Sequence, residues 1–331
     1  MTLKHPYLLF LGDAVDQLAA KTANGVARWR PGWCVGQLRL EDCHADVGLT
    51  DMDLKQGWEA GARTLVVGVA NRGGVISDIW MQTLTDALDL GYDIASGLHT
   101  RLNQTPHLRQ KAAALGRQLF DVRYPEQSLA VGDGKRRAGR RLLTVGTDVS
   151  SGKMFTALAI EAEMKTRGMA ADFRATGQTG IFIAGSGIAV DAVVADFISG
   201  AAEWLSPEND PDHWDLIEGQ GSLSHASYAG VTLGLIHGSQ PDRMVLCHEP
   251  GRSHMRGLPG YPLPSLKESL KMNEAAGSLT NPECRVCGLS LNTSRASDSE
   301  AERLLKSAED EVGLPAVDAY RQGASRLVDA L

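Results

Sequence analysis

The 331-residue chain is expected to fold as α/β: a small Rossmann-like N-terminal domain followed by a P-loop NTPase-like, mostly parallel α/β domain. Three observations predict this. Short apolar runs alternate with helix-patterned stretches, one such run leads into a glycine-rich phosphate loop, and polar clusters recur where the runs end. The boundary is placed in the basic, glycine-rich stretch after residue 130, giving domains 1–130 and 131–331.

In the first half, residues 7–11 read as a strand ending at Gly12-Asp13-Ala14, and residues 15–26 have helical character. Residues 63–69 give the next strand, followed by Asn71-Arg72-Gly73-Gly74 and a helix through Asp86 to Asp89. Residues 92–96 lead into Gly97-Leu98-His99, and residues 108–119 resume a helix. Strand–helix alternation predicts a parallel sheet covered on both faces. Residues 131–141, polar and basic, read as a solvated connector or an early edge of the second domain, with a grip on a coenzyme phosphate as the alternative.

The apolar run Leu142-Leu143-Thr144-Val145 enters the loop Gly146-Thr147-Asp148-Val149-Ser150-Ser151-Gly152-Lys153-Met154, after which Phe155, Leu158, Ala159 and Ala162 recur at helical spacing. Such a loop wraps backbone N–H groups around phosphate oxygens, adds the positive end of a helix dipole and supplies an ammonium, here Lys153. In Mg-nucleotide enzymes the residue after that lysine is Ser or Thr, whose hydroxyl ligates magnesium. Met154 has only a soft thioether. The chain keeps a diphosphate cradle and loses a part needed for γ-phosphoryl transfer, whereas coenzyme A carries a diphosphate and needs no metal for acyl transfer. A water-bridged magnesium held by Asp148 and Glu218 keeps a ligase or kinase reading open, and a nucleotide-sensing protein without catalysis is a third reading.

Beyond the loop helix, Gly168 marks a stop and residues 171–173 a short strand before Arg174-Ala175-Thr176-Gly177-Gln178-Thr179-Gly180. Residues 214–217 form a strand ending at Glu218-Gly219-Gln220-Gly221. Residues 244–247 end at His248-Glu249-Pro250-Gly251-Arg252. Residues 286–291 end at Asn292-Thr293-Ser294-Arg295, before a helix at 300–312.

The formal charge of −7 argues against nucleic acid as a partner. No apolar run approaches the roughly 20 residues of a membrane span, so neither a membrane nor nucleic acid is expected as a partner. Five cysteines, few and odd in number, fit a reduced, cytoplasmic setting. Cys284-x-x-Cys287 lacks a second pair and reads as two ordinary strand-associated cysteines.

The five residues between Gly146 and Gly152 resemble the loop of dethiobiotin synthetase and its relatives. Glu218-Gly219-Gln220-Gly221 is similar to their acidic strand end, and Gly288 to Asn292 to the strand whose asparagine lies near adenine. Over the whole chain the closer likeness is to a two-domain family, once classed as of unknown function, associated with N-acetylation of D-glutamate or other D-amino acids. The phosphate loop, Thr176 to Gly180, Glu218 to Leu223, Gly238 to Asp242, His248 to Arg252 and Leu291 to Thr293 carry that resemblance, with Asn71 to Gly74 and Ser96 to His99 in the first half.

The resemblance implies an N-acetyltransferase of D-amino-acid catabolism, with acetyl-CoA as donor, a small amino acid as substrate and no required metal. Acetyl transfer needs a neutral amine, so a general base is required. Glu218 leads, with His248 and Asp191 as further candidates, while His225 reads equally as a surface or capping residue. Gly146, Thr147, Asp148, Ser150, Ser151, Gly152, Lys153, Met154 and Asn292 are assigned to the coenzyme. Arg72, Arg174 and Arg252 suit the acceptor's carboxylates, and Thr176, Gln178 and Thr179 offer neutral donors. A homo-oligomer is expected.

Overall fold

Every strand pairing among the described residues is parallel, which is why the inner strands are largely apolar runs buried on both faces rather than alternating ones. The computed structural model describes residues 2–69, 76–125 and 127–331. It resolves into two units, Met1–Glu126 with Gly177–Ala192, and Gln127–Thr176 with Val193–Leu331.

The first unit's sheet has β1 (Tyr7–Gly12), β2 (Cys34–Arg39), β3 (Thr64–Val67), β4 (Asp93–Ser96) and β5 (Leu119–Asp121) in the order β2-β1-β3-β4-β5. Helices α1 (Lys21–Trp29), α2 (Leu54–Glu59), α3 (Asp78–Leu90) and α4 (Pro106–Leu115) connect the strands. Gly12 sits at φ 53° where any Cβ would fall 2.5 Å from the Trp80 ring, and the Trp80 indole donates to Asp13 Oδ1 at 2.8 Å. Glycine is required there on both counts.

Three expectations are corrected in this unit. The helix placed at 15–26 begins only at Lys21, because Asp16 Oδ1 takes the Ala19 N–H into a turn and Val15 and Leu18 have no core to enter. The helix placed at 108–119 ends at Leu115 with Gly116 at φ 64°, and Leu119 opens β5. Strand β2 was not anticipated, since Gly36 and Gln37 interrupt its apolar run. The buried Gln37 amide is satisfied by the Asp46 and Asp51 carboxylates and the Val47 N–H, as a buried polar group must be.

In chain order the remainder is β6 (Arg140–Gly146), α5 (Lys153–Thr166), β7 (Ala171–Arg174), α6 (Gln178–Ala184), α7 (Ile198–Leu205), β8 (Trp214–Ile217), α8 (Ala229–Ser239), β9 (Arg243–His248), α9 (Leu266–Ser278), β10 (Arg285–Leu291), α10 (Asp298–Val312), β11 (Ala316–Val317) and α11 (Ser325–Val328). The strands form one sheet, ordered β11-β10-β9-β6-β8-β7. The chain leaves β6 for β7, returns to β8 and then crosses to β9 on the other side of β6. That reversal brings the ends of β6, β8 and β9 together, where ligands bind in open parallel sheets. Helix α6 packs within the first unit, where Thr179 and Thr22 share a hydrogen bond of 3.2 Å.

The basic stretch 131–141 is not wholly a solvated connector. Arg141 is 3% exposed, with its guanidinium on Ser206 Oγ and the carbonyls of Arg137, Ala138, Gly139 and Pro207. Cys284 and Cys287 are buried and form no disulfide, the first just before β10 and the second within it, as expected of structural thiols.

Helix α8 packs on α7 through glycine. A Cβ on Gly238 would lie 2.1 Å from the Ser199 carbonyl oxygen, whereas one on Gly230 meets nothing within 4 Å. Gly238→Ala is therefore expected to lower stability by about 1–3 kcal/mol, and Gly230→Ala to leave it unchanged or raise it by up to about 1 kcal/mol. Urea unfolding of the two variants checks this, and equal effects would refute the packing argument.

Candidate functional site

Strand β6 delivers Gly146 into a tightly wound loop. A Cβ there would lie 2.6 Å from Ser151 Oγ and 3.0 Å from Lys153 Nζ. Ser150 adopts φ 53° and Gly152 φ 99°, conformations that turn the chain sharply before α5 begins at Lys153. A phosphate cradle is built this way, with backbone close to the ligand and the helix start facing it. Lys153 is buried, its ammonium donating to the Asp148 carbonyl at 2.9 Å and reaching Ser151 Oγ at 3.4 Å. Burial pushes its pKa down to about 8, although nearby Asp148 and Glu218 favour the charged form.

Beneath the loop, the Asp148 carboxylate is 1% exposed. Its Oδ1 accepts from the Val149 N–H at 2.7 Å, and its Oδ2 accepts from Arg252 Nη1 at 2.6 Å and from the Arg256 N–H at 2.9 Å. Arg252 also donates to the Val149 carbonyl at 2.7 Å, to the Ser150 carbonyl at 3.1 Å and to Glu249 Oε2. The loop after β9 thus grips the phosphate loop through one planar guanidinium. His225 Nε2 lies 4.0 Å from Asp148 Oδ1. Its Nδ1 accepts from the Ser227 N–H, so its Nε2 donates to the Arg256 carbonyl. The ring therefore sits there as a buried structural histidine.

At the end of β8, Glu218 Oε2 accepts from the Thr176 N–H at 3.0 Å and Oε1 from Gln220 Nε2 at 3.2 Å. Gly219 presses on β6, where a Cβ would meet the Thr144 carbonyl at 1.6 Å, and its N–H bonds Thr144 Oγ1. At the end of β9, His248 Nδ1 stands 2.9 Å from Thr147 Oγ1, and no bond to its Nε2 occurs among the described residues. Burial, reinforced by Arg252, holds its pKa below the usual imidazole value. Both effects favour the neutral imidazole. Asn292, just after β10, donates its N–H to the His248 carbonyl, and its Oδ1 accepts from the Ser294 N–H.

Gly146, Thr147, Asp148, Ser151, Gly152, Lys153, Thr176, Glu218, His248, Arg252 and Asn292 thus all belong to the second unit, at or beside its strand ends. Met154 is half-buried and Ser150 exposed. Arg174 turns back along β7, with Nε and Nη2 both 2.8 Å from Asp215 Oδ1. Gln178, Thr179 and Asp191 lie in the first unit, where Arg123 donates to Gln178 Oε1 at 3.3 Å and to Asp191 Oδ2 at 2.5 Å. Arg72 lies outside the described residues. The Thr147–His248 pair, Arg256 and the buried Thr156–Ser290 bond of 2.7 Å were missed in the sequence. Only the His248 to Arg252 run gave any signal of them.

Among the described residues no group of three or more His, Cys, Asp or Glu side chains is placed to hold a metal ion, and no helix is long and apolar enough to cross a membrane.

Burial of Lys153 has a pH signature. Its folded pKa, about 8, lies below the ordinary 10.5, so below pH 8 both states bind the proton and the burial cost is fully present. Between these values the native state releases its proton first and stability rises with pH. Wild type is expected to gain stability relative to Lys153→Met across this window. Urea midpoints at pH 7, 9 and 10 check it; a gap that stays constant would refute a depressed lysine.

Comparison with known proteins extends the geometry. Residues 129–328 match a family model described as the DUF1611_C P-loop domain, and residues 37–125 match the DUF1611_N Rossmann-like domain, both domains of unknown function. The chain is 56% identical over 329 residues to a protein of Tritonibacter scottomollicae and 47% identical over 328 residues to one of a Pseudoalteromonas species, covering 99% of each chain in both cases. Both relatives are named D-glutamate N-acetyltransferase. A crystal structure of a DUF1611 family protein from Anabaena variabilis superposes with a TM-score of 0.85 at 33% identity, over 99% of each chain.

Proposed function

Because the chain belongs to the DUF1611 family, we propose that it is a D-glutamate N-acetyltransferase that takes its acetyl group from acetyl-CoA without a metal, in D-amino-acid catabolism. The acceptor follows from the names of the two full-length relatives. The donor is supported by one observation: an intact diphosphate cradle around Lys153 followed by Met154, where phosphoryl-transfer enzymes place a magnesium-binding hydroxyl.

The loop amides and Lys153 hold the coenzyme's diphosphate, whose charge returns the lysine to its fully protonated form. Acetyl-CoA supplies the thioester carbonyl. His248 is the group best suited to move the proton, being favoured in its neutral form and fixed by Thr147 at 2.9 Å. With Nδ1–H donated to Thr147, Nε2 takes a proton from the acceptor's ammonium. A C–N bond then forms, the C–S bond breaks, and the imidazolium returns the proton to the departing sulfur; the amine's second proton leaves to solvent. Glu218, held by Thr176 and Gln220, acts as fixed counter-charge to Lys153.

Purified protein is expected to release thiol from acetyl-CoA with D-glutamate, not L-glutamate, in the presence of a chelator. Lys153→Ala should lower kcat/KM by about 10²-fold through the lost cationic contact. Magnesium-dependent ATP turnover without thiol release would overturn the reading and favour a ligase. For His248→Gln a fall in kcat of about 10²–10⁴-fold, with KM little changed, is expected in the same assay; unchanged kcat would remove His248 from the chemistry.

A further inference from the structure

We infer that Arg252 is a built-in cation that occupies the acidic positions of the phosphate loop and so restricts the site to diphosphates free of magnesium. This rests on the reading of the loop as a diphosphate cradle. A divalent ion at such a loop needs hard oxygen ligands, and among the described residues at the loop these are Asp148, Glu218, Glu249 and the loop hydroxyls and carbonyls.

Each carboxylate is already engaged. Asp148 Oδ2 carries both Arg252 Nη1 at 2.6 Å and the Arg256 N–H at 2.9 Å, and Oδ1 carries the Val149 N–H at 2.7 Å. Glu249 is bonded by Arg252 Nη2 and approached by Arg295 at 3.6 Å. Glu218 is held by Thr176 and Gln220. The carbonyls of Val149 and Ser150 face the same guanidinium, at 2.7 and 3.1 Å. Met154 adds no oxygen. An incoming magnesium would have to displace a charge-matched, planar donor set from a carboxylate 1% exposed, and it would meet the positive charge of Arg252 itself. The guanidinium supplies the positive charge that a metal supplies elsewhere, and it also fixes the loop's shape before ligand arrives.

Manganese titration followed by electron paramagnetic resonance, and calorimetric titration of coenzyme A and of ADP with and without magnesium, test this. Wild type is expected to show no bound manganese, and magnesium to leave the affinity for coenzyme A within about twofold and to weaken, never strengthen, the apparent affinity for ADP by sequestering it. Folded Arg252→Met, which uncovers Asp148 and Glu249, is expected to acquire manganese binding that is lost again in Asp148→Asn/Arg252→Met. Manganese bound by wild type and lost in Asp148→Asn, or magnesium strengthening either affinity by about tenfold or more, would overturn the inference. So would a folded Arg252→Met protein that still ignores manganese. Failure of both coenzyme A and ADP to bind would instead refute the diphosphate cradle, and the manganese arm would still decide the role of Arg252. The wild-type measurements stand whether or not the Met variant folds.

Discussion

A carboxylate buried beneath its own loop sets the terms for the second unit. Asp148 is a charge in a place where charge is costly unless paired and hydrogen-bonded, and the pairing comes from far along the chain, in Arg252 and the Arg256 N–H. Satisfying Asp148 ties the loop after β9 to the loop after β6 and holds Ser150 in its left-handed turn. The same guanidinium lies beside His248 and helps keep that imidazole neutral. The loop's shape is therefore set largely by one interaction, while His248 owes its lowered pKa first to burial and then to Arg252.

The parallel sheet makes that interaction possible. Strands β6, β8, β9 and β10 end side by side, so residues about a hundred positions apart, such as Thr147 and His248, come within 2.9 Å. Glycines at 146 and 219 let the backbones approach where a side chain would collide. The opposite end of the sheet has its own buried charges, with Arg141, Ser206, Asp215 and Arg174 joined by hydrogen bonds. Arg174, which sequence position alone presents as a ligand residue, is held by that cluster.

Much of the fold was legible because buried parallel strands are largely apolar runs, and β1, β3, β4, β6, β8, β9 and β10 have that form. Strand β2 was not, since Gln37 is satisfied by two carboxylates that no local pattern connects to it. The glycine-rich α8 was equally hard to read. Gly234 and Gly238 serve close packing on α7 rather than turns, and a helix with small residues on one face has no sharp amphipathic pattern.

By itself the sequence determined the alternating α/β plan, the phosphate loop and the loss of its metal-binding hydroxyl, because each depends on residues adjacent in the chain. Lys153, Gly152 and Met154 take their roles from consecutive position alone. Only the tertiary structure decided which distant groups complete the loop: that Arg252 belongs to Asp148, that His248 belongs to Thr147, and that the helix bearing Gln178 and Thr179 joins the first unit's α1. Hydrogen bonds and burial are pairwise properties of space, and two residues a hundred apart acquire them only when the sheet order places their strands together.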